Sequence, residues 1–273
     1  MLDPVVEFLR IEAVGGVVLL AATLVALALA NSPLAEAYQR LWQQELTVGG
    51  LRWDLRHWVN DALMTVFFLV IGLEVTRELS VGRLRDPRRA RLPIVAALAG
   101  AAVPALVFLA FNPSGPAARG WAIPMATDPA FAVGVLALLG SRVPAGAKAF
   151  LLALAVVDDI AAVTVIAFAY TSQLALGWLA VAAAGVLAGG LLLRAQVLPL
   201  WGWGLLGLLG VGVWWAAYRS GVHATIAGVA LGFAVPARPV GGRSRLELLE
   251  GRLHLVSAYL VVPLFALPTP ASP

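Results

Sequence analysis

The sequence predicts an all-α polytopic membrane protein, and three observations carry that prediction. The 273 residues are 61% hydrophobic and only 12% charged, about half the charged share of a soluble domain. Mean hydropathy is +0.90. Uncharged runs cover residues 13–35, 92–118, 149–157, 160–193, 195–218 and 253–273, and about 20 mostly apolar residues in a helix cross a bilayer. There is no cysteine, which excludes a disulfide framework and thiol chemistry. The net charge of +4 and a pI near 10.1 do not point to nucleic acid, because the basic residues sit between the apolar segments. No removable signal is expected, since Asp3, Glu7 and Glu12 flank the first segment.

Nine apolar segments follow in order, at about 12–30, 58–74, 92–111, 121–139, 149–170, 174–192, 201–218, 221–236 and 253–267. The connections are short and no fixed-period repeat appears, so residues 1–273 read as a single transmembrane domain. Between the first two segments, the loop Leu46–Trp53, with Thr47-Val48-Gly49-Gly50-Leu51 at its centre, fits a small hairpin. Orientation follows from Lys and Arg counting. With the N-terminus in the cytoplasm, one side holds Arg10, the cluster Arg77, Arg83, Arg85, Arg88, Arg89 and Arg91, then Arg142, Lys148, Arg194, Arg238, Arg243, Arg245 and Arg252. The other holds Arg40, Arg52, Arg56, Arg119 and Arg219. The split of 14 against 5, out of 19, favours a cytoplasmic N-terminus.

The fourth segment contains Pro124-Met125-Ala126-Thr127-Asp128-Pro129. Proline removes a backbone donor and disfavours helix at the residue before it, so this string predicts a broken helix. Asp128 fits the N-cap of its second half with Pro129 at the first helical position. The positive end of that half-helix then faces the break. The fifth segment carries Asp158 and Asp159 side by side, and from Ala149 to Leu193 there is no other charged residue. Carboxylates at membrane depth are costly and mark functional sites. Adjacent helical residues point about 100° apart, so the two border one cavity from different angles. The one lysine, Lys148, is ten residues earlier, roughly 15 Å along the axis. Such a doublet takes up either protons or a small cation, and the two compete.

Other charged residues have blander readings. Glu74 and Glu78 are i,i+4 with Arg77 on the same face, either a small network or a solvated helix end. His223 reads as a satisfied buried or interfacial histidine, and Asp61 as a hydrogen-bonded interfacial residue rather than a ligand. His254, one turn after Glu250, titrates near neutral pH unless its surroundings hold it.

At this point the strings resemble a known family. Asn60-Asp61-Ala62-Leu63-Met64, Phe67-Phe68-Leu69-Val70-Ile71-Gly72-Leu73-Glu74-Val75, Gly120-Trp121-Ala122-Ile123-Pro124-Met125-Ala126-Thr127-Asp128, Val156-Val157-Asp158-Asp159 and Ser220-Gly221-Val222-His223-Ala224-Thr225 are similar to the NhaA-type sodium/proton antiporters. The resemblance runs in order from about residue 8 to 267. It implies an inverted-repeat antiporter fold with about nine transmembrane helices present here and a broken fourth one. It implies that Asp159 exchanges the cation and the proton, that Asp158 is its partner, and that Thr127 and Asp128 form the unwound crossing. Asp158 and Asp159 would then hold the transported Na⁺ (or Li⁺), with no cofactor and no catalysis of a covalent reaction. Glu74, Arg77, Glu78, Glu250 and His254 resemble a cytoplasmic cluster tied to pH regulation.

The resemblance further implies exchange of cytoplasmic Na⁺ for external protons in a bacterial inner membrane, and a possible homodimer. Pro129 and Gly251 depart from the pattern, which usually has an aliphatic residue at the first and often a second histidine at the second. The family pattern also has twelve spans, a second broken helix and a late lysine, so a C-terminally shortened member lacking the last three expected spans is anticipated. Two rival readings are a non-transporting fragment and an intramembrane aspartyl protease using Asp128 with Asp158 or Asp159. No Gly-x-Gly-Asp string favours the protease.

Overall fold

The computed structural model describes residues 4–125, 143–169, 174–195, 199–239 and 244–268. Helix α1, Pro4–Ala30, stops where Pro33 withholds a donor and pushes Ser32 out of helical backbone. Side chains add to the backbone amides on the last carbonyls: Asn31 Nδ2 donates to Leu27 at 2.8 Å and Ser32 Oγ to Leu29 at 2.9 Å. The short helix α2, Ala35–Trp42, then turns off at 118°. Its Tyr38 and Trp42 are buried, and the Tyr38 hydroxyl donates to the Leu267 carbonyl.

The expected hairpin is present. Strands β1, Glu45–Val48, and β2, Leu51–Asp54, pair antiparallel with Val48 opposite Leu51. Gly49 and Gly50 have φ of 58° and 86°, the two positive values that a two-residue turn matched to strand twist requires. Asp54 then caps helix α3, Leu55–Ser80, accepting from the His57 amide at 2.7 Å. Within α3, residues Trp58–Leu63 form a π-helical turn. Asp86 caps helix α4, Pro87–Phe111, with proline at the first helical position.

Helices α5, Ala145–Ala169, α6, Leu176–Leu193, and α7, Leu200–Arg219, follow. The Ala175 amide donates to the Ser220 carbonyl at 2.8 Å, joining the start of α6 to the end of α7. Helix α8, Ile226–Ala234, comes next. Helix α9, Arg245–Ala266, has a second π-helical turn at Ser257–Val261. Among the described residues α3, α4, α6 and α9 are each long and apolar enough to cross a membrane, and α1 with α2 forms a bent pair that passes the same test.

Two expectations need revision or fall outside the described residues. The apolar segment at 221–236 was expected to span, but only nine residues of it are α-helical, about 14 Å of rise against a hydrocarbon core of about 30 Å. Its first residues form a turn at Gly221, φ 84°. Of the segment at 121–139, only 121–125 is described, as a turn and the 3₁₀ turn Ile123–Met125. Thr127, Asp128 and Pro129, with the predicted helix break, lie outside the described residues.

Helices α3, α4 and α5, with Leu84 of the 3₁₀ turn Arg83–Arg85 between the first two, share a core of Ile71, Val75, Leu84, Ala90, Ala97, Ala153, Val156 and Val157. Helix α8 packs along α3 through glycine. A Cβ on Gly232 would sit 2.6 Å from the Gly72 carbonyl carbon, and one on Gly72 would sit 2.7 Å from the Val229 carbonyl oxygen. The two backbones therefore touch, and the Thr76 hydroxyl closes the contact by donating to Gly232 at 3.2 Å as well as to its own helix at Gly72, 2.8 Å.

Candidate functional site

Asp158 and Asp159 lie in the middle of α5, with Asp158 thirteen residues from Ala145 and eleven from Ala169. Each end is therefore roughly 16–20 Å away along the axis. The preceding Val156 and Val157 are buried in the core shared with α3 and α4. Alanines at 90, 97 and 153 let the three helices approach closely. This packing carries Asp158 inward to 5% exposure, while Asp159, a hundred degrees further round, stays half-buried.

Both Asp158 and Asp159 take part in a polar or electrostatic interaction. That is the condition under which an acid persists at such depth. Among the described residues no three His, Asp or Glu side chains converge as a metal cluster. The carboxylates at mid-helix in α5 are this adjacent pair, and the two further predicted ligands, Thr127 and Asp128, are outside the described residues.

The second predicted group forms across two helices. Glu74, Arg77 and Glu78 share the last turns of α3, and Arg77 Nε reaches Glu250 Oε1 of α9 at 3.0 Å. The Glu250 side chain is 13% exposed. Arg77, His254, Glu247 and Glu78 are all close enough for their charges to act on it. So the structure brings Arg77 and Glu78 of α3 together with Glu247, Glu250 and His254 of α9, two helices that the sequence joined only by resemblance. The start of α9 is fixed by Ser244, which accepts from the Glu247 amide at 3.2 Å. The nearly buried Arg245 also holds it, with Nη2 donating to the Ala195 carbonyl at 2.6 Å, at the end of α6.

Asp61 and His223 form a third polar contact, Oδ1 to Nδ1 at 3.8 Å. The Asp61 carbonyl accepts from Trp214 Nε1 at 3.2 Å and from the Thr65 hydroxyl at 2.6 Å. His223 also faces the Thr225 hydroxyl at 3.1 Å. His223 is thus hydrogen-bonded, and the Asp61 side chain faces it.

Three features were not anticipated. The π-helical turn at Trp58–Leu63 re-aims Asn60 and Asp61, and nothing in residue spacing signals an inserted residue. The latch from Arg245 to Ala195 was equally hidden. The third is an aromatic cluster in which Trp53 contacts Trp58, Trp214 and Tyr218 at centroid distances of 5.1, 5.7 and 5.0 Å. Its members sit near segment ends, where Trp and Tyr concentrate in membrane proteins, and that was the available signal.

The sequence model of a family described as Na⁺/H⁺ antiporter 1 matches residues 6–271. The chain belongs to the Na⁺/H⁺ antiporter 1 family. It is 48% identical over 266 residues to the Na(+)/H(+) antiporter NhaA of Citrobacter koseri, covering 95% of this chain and 68% of that protein. It is 50% identical over 270 residues to the Na(+)/H(+) antiporter NhaA of Bordetella bronchiseptica, covering 94% and 67%. It is also 48% identical over 270 residues to the Na(+)/H(+) antiporter NhaA 1 of a Nocardioides species, covering 96% and 61%. The chain thus spans about two thirds of the length of these curated relatives. The α5 doublet, the Arg77–Glu250 pair and the Asp61–His223 pair all fall inside the antiporter family match.

Proposed function

We propose that this chain acts in sodium/proton antiport, as a transporter rather than an enzyme, exchanging cytoplasmic Na⁺ (or Li⁺) for external protons. The observation that carries the reading is the Asp158–Asp159 pair at mid-helix of α5, within a family match running over residues 6–271. Carboxylate oxygens are hard ligands suited to a small cation, and the same oxygens bind protons. Occupancy by one therefore excludes the other, and that competition couples the two flows. Asp159 exchanges ion and proton, and Asp158 shares the load. Thr127 and Asp128 complete the crossing beside them, with Asp128 offsetting half-helix dipoles. The ions are substrates, and no cofactor takes part.

Residues 1–273 form one transmembrane unit in the bacterial inner membrane. The excess of basic residues on one side argues for a cytoplasmic N-terminus. The Arg77–Glu250 pair, with Glu78 and His254 near it and Glu74 one turn before Glu78 on α3, then lies on the cytoplasmic side, where it senses internal pH. A homodimer is the assembly that the family resemblance favours. The experiment is Na⁺-induced proton flux in everted vesicles. Asp159→Asn and Asp158→Asn should each reduce the flux to the level of vesicles lacking the protein. Undiminished exchange by Asp159→Asn would sink the assignment.

A further inference from the structure

We infer that the arginines around the start of α4 bind the headgroup phosphate of an anionic phospholipid. Arg85, Arg88, Arg89 and Arg91 are all exposed there. Arg89 is engaged by Asp86 at 3.4 Å. Among the described residues no carboxylate pairs with Arg85, Arg88 or Arg91. The Arg88 amide already donates to Asp86 Oδ1 at 3.0 Å, so side chains, not the helix end, are what remains to hold an anion. Arg85 is fixed at the surface by its neighbour. Leu84 of the same 3₁₀ turn is buried in the core shared by α3, α4 and α5.

The rest of the same helix face decides which anion. At about 100° per residue, Arg88, Arg91, Leu92, Val95, Leu98 and Leu106 fall within one arc of about 120°. All six are exposed, Leu92 by 67% and Leu106 by 66%. The opposite face carries the buried Ala90, Ala97, Ala101 and Ala105 and turns to the core. Helix α4 is long and apolar enough to cross a membrane. Its uncharged part, from Leu92 to Phe111, rises about 28 Å, close to the hydrocarbon thickness of about 30 Å. When that stretch fills the hydrocarbon, Arg88 and Arg91 stand at headgroup level, directly above an exposed apolar stripe.

A nucleic acid or an acidic soluble protein would match the arginines and leave the stripe unmatched. A phospholipid matches both, with its phosphate on the guanidinium groups and an acyl chain along Leu92, Val95 and Leu98. Guanidinium groups grip phosphate oxygens in pairs of parallel hydrogen bonds. Basic residues clustered where a span meets the headgroups attract lipids of net negative charge, so the site selects an anionic headgroup over a zwitterionic one.

Native mass spectrometry tests this on the full chain, purified in a neutral detergent with equimolar phosphatidylglycerol and phosphatidylcholine. The parent should retain phosphatidylglycerol in several-fold preference. Arg88→Gln and Arg91→Gln should each cut the retained phosphatidylglycerol about fivefold, the loss expected for one basic residue at an anionic surface, and leave phosphatidylcholine unchanged. Both side chains are exposed, so the variants fold. Arg40→Gln removes an exposed charge on α2 that Glu36 pairs with, and it should keep the parental preference. Equal phosphatidylglycerol retention by the parent and the Arg88→Gln/Arg91→Gln double variant overturns the proposal. So does an equal loss in Arg40→Gln, or displacement of the lipid by excess inorganic phosphate, since a free anion has no use for the apolar stripe.

Discussion

Glycine lines two regions of this molecule with opposite effect. Where α8 crosses α3, Gly72, Gly228 and Gly232 remove side chains so that two backbones meet. On α7, Gly207 and Gly210 also remove side chains, and no described atom comes closer than 3.8 Å to the room they leave. The residue type is the same and so is the helical setting. The difference is what stands opposite: carbonyls of α3 in one case, open space in the other. Within a bilayer, helices gain little from burying apolar surface against each other, and close backbone approach is a main source of their association. The first region therefore holds the fold, and the second does not.

The comparison breaks most visibly with one methyl group. Gly228→Ala places its Cβ on the Thr65 carbonyl, with the Leu69 amide nitrogen at 2.8 Å. Because the obstacle is backbone, α8 must move away from α3. Overpacking of this kind costs about 1–3 kcal/mol or more, and a fall of several degrees in thermal midpoint is expected by detergent-stability assay. Gly207→Ala on α7 should be neutral or stabilising by up to about 1 kcal/mol, since alanine is the better helix former and meets no obstacle. Equal destabilisation by the two would remove the distinction.

Thr76→Val sharpens the same comparison at a smaller scale. It keeps the shape of the contact and deletes the hydroxyl that bonds Gly232 across the interface at 3.2 Å. A loss of about 1 kcal/mol is expected, seen as a modest drop in midpoint, and none in a Gly228→Ala background where the interface has already opened.

The smallest effect lies at the hairpin, outside both regions. Burial works to raise the Asp54 carboxyl, but the His57 amide and ring, the His57 charge and Arg56 outweigh it and hold the group below 3.8. A depressed carboxylate stabilises the fold above its unfolded value, and that contribution fades as pH falls through the folded one. Amide exchange at the start of α3, taken relative to its intrinsic rate at each pH, should therefore quicken below about pH 4 in the parent. In Asp54→Ala it should be faster already at neutral pH and show no such acid step.

Much of this was legible along the chain because it obeys local rules. The Gly49-Gly50 turn with its flanking strands needed only two adjacent residues able to take positive φ. The stop of α1 at Pro33 and the acid doublet in the middle of α5 were equally local. The site was legible in part: Asp158 and Asp159 stood out because nothing charged lies near them in sequence. What surrounds them did not, since their neighbours arrive from α3 and α4, some sixty to ninety residues earlier. Spacing grouped Arg77 with Glu74 and Glu78, one turn away on its own helix. The structure adds Glu250 on α9, a partner that no periodicity could name.

By itself the sequence determined which stretches prefer hydrocarbon, where the backbone breaks, and which acids are out of place, because each depends on residue type and near neighbours. Only the tertiary structure decided that the stretch at 221–236 is a short helix clasped by α3 rather than a span. It also decided that one glycine is a contact and another a vacancy, and that Arg77 bridges to α9. Those outcomes depend on which atoms lie opposite, and what lies opposite is set by the packing of helices distant in sequence.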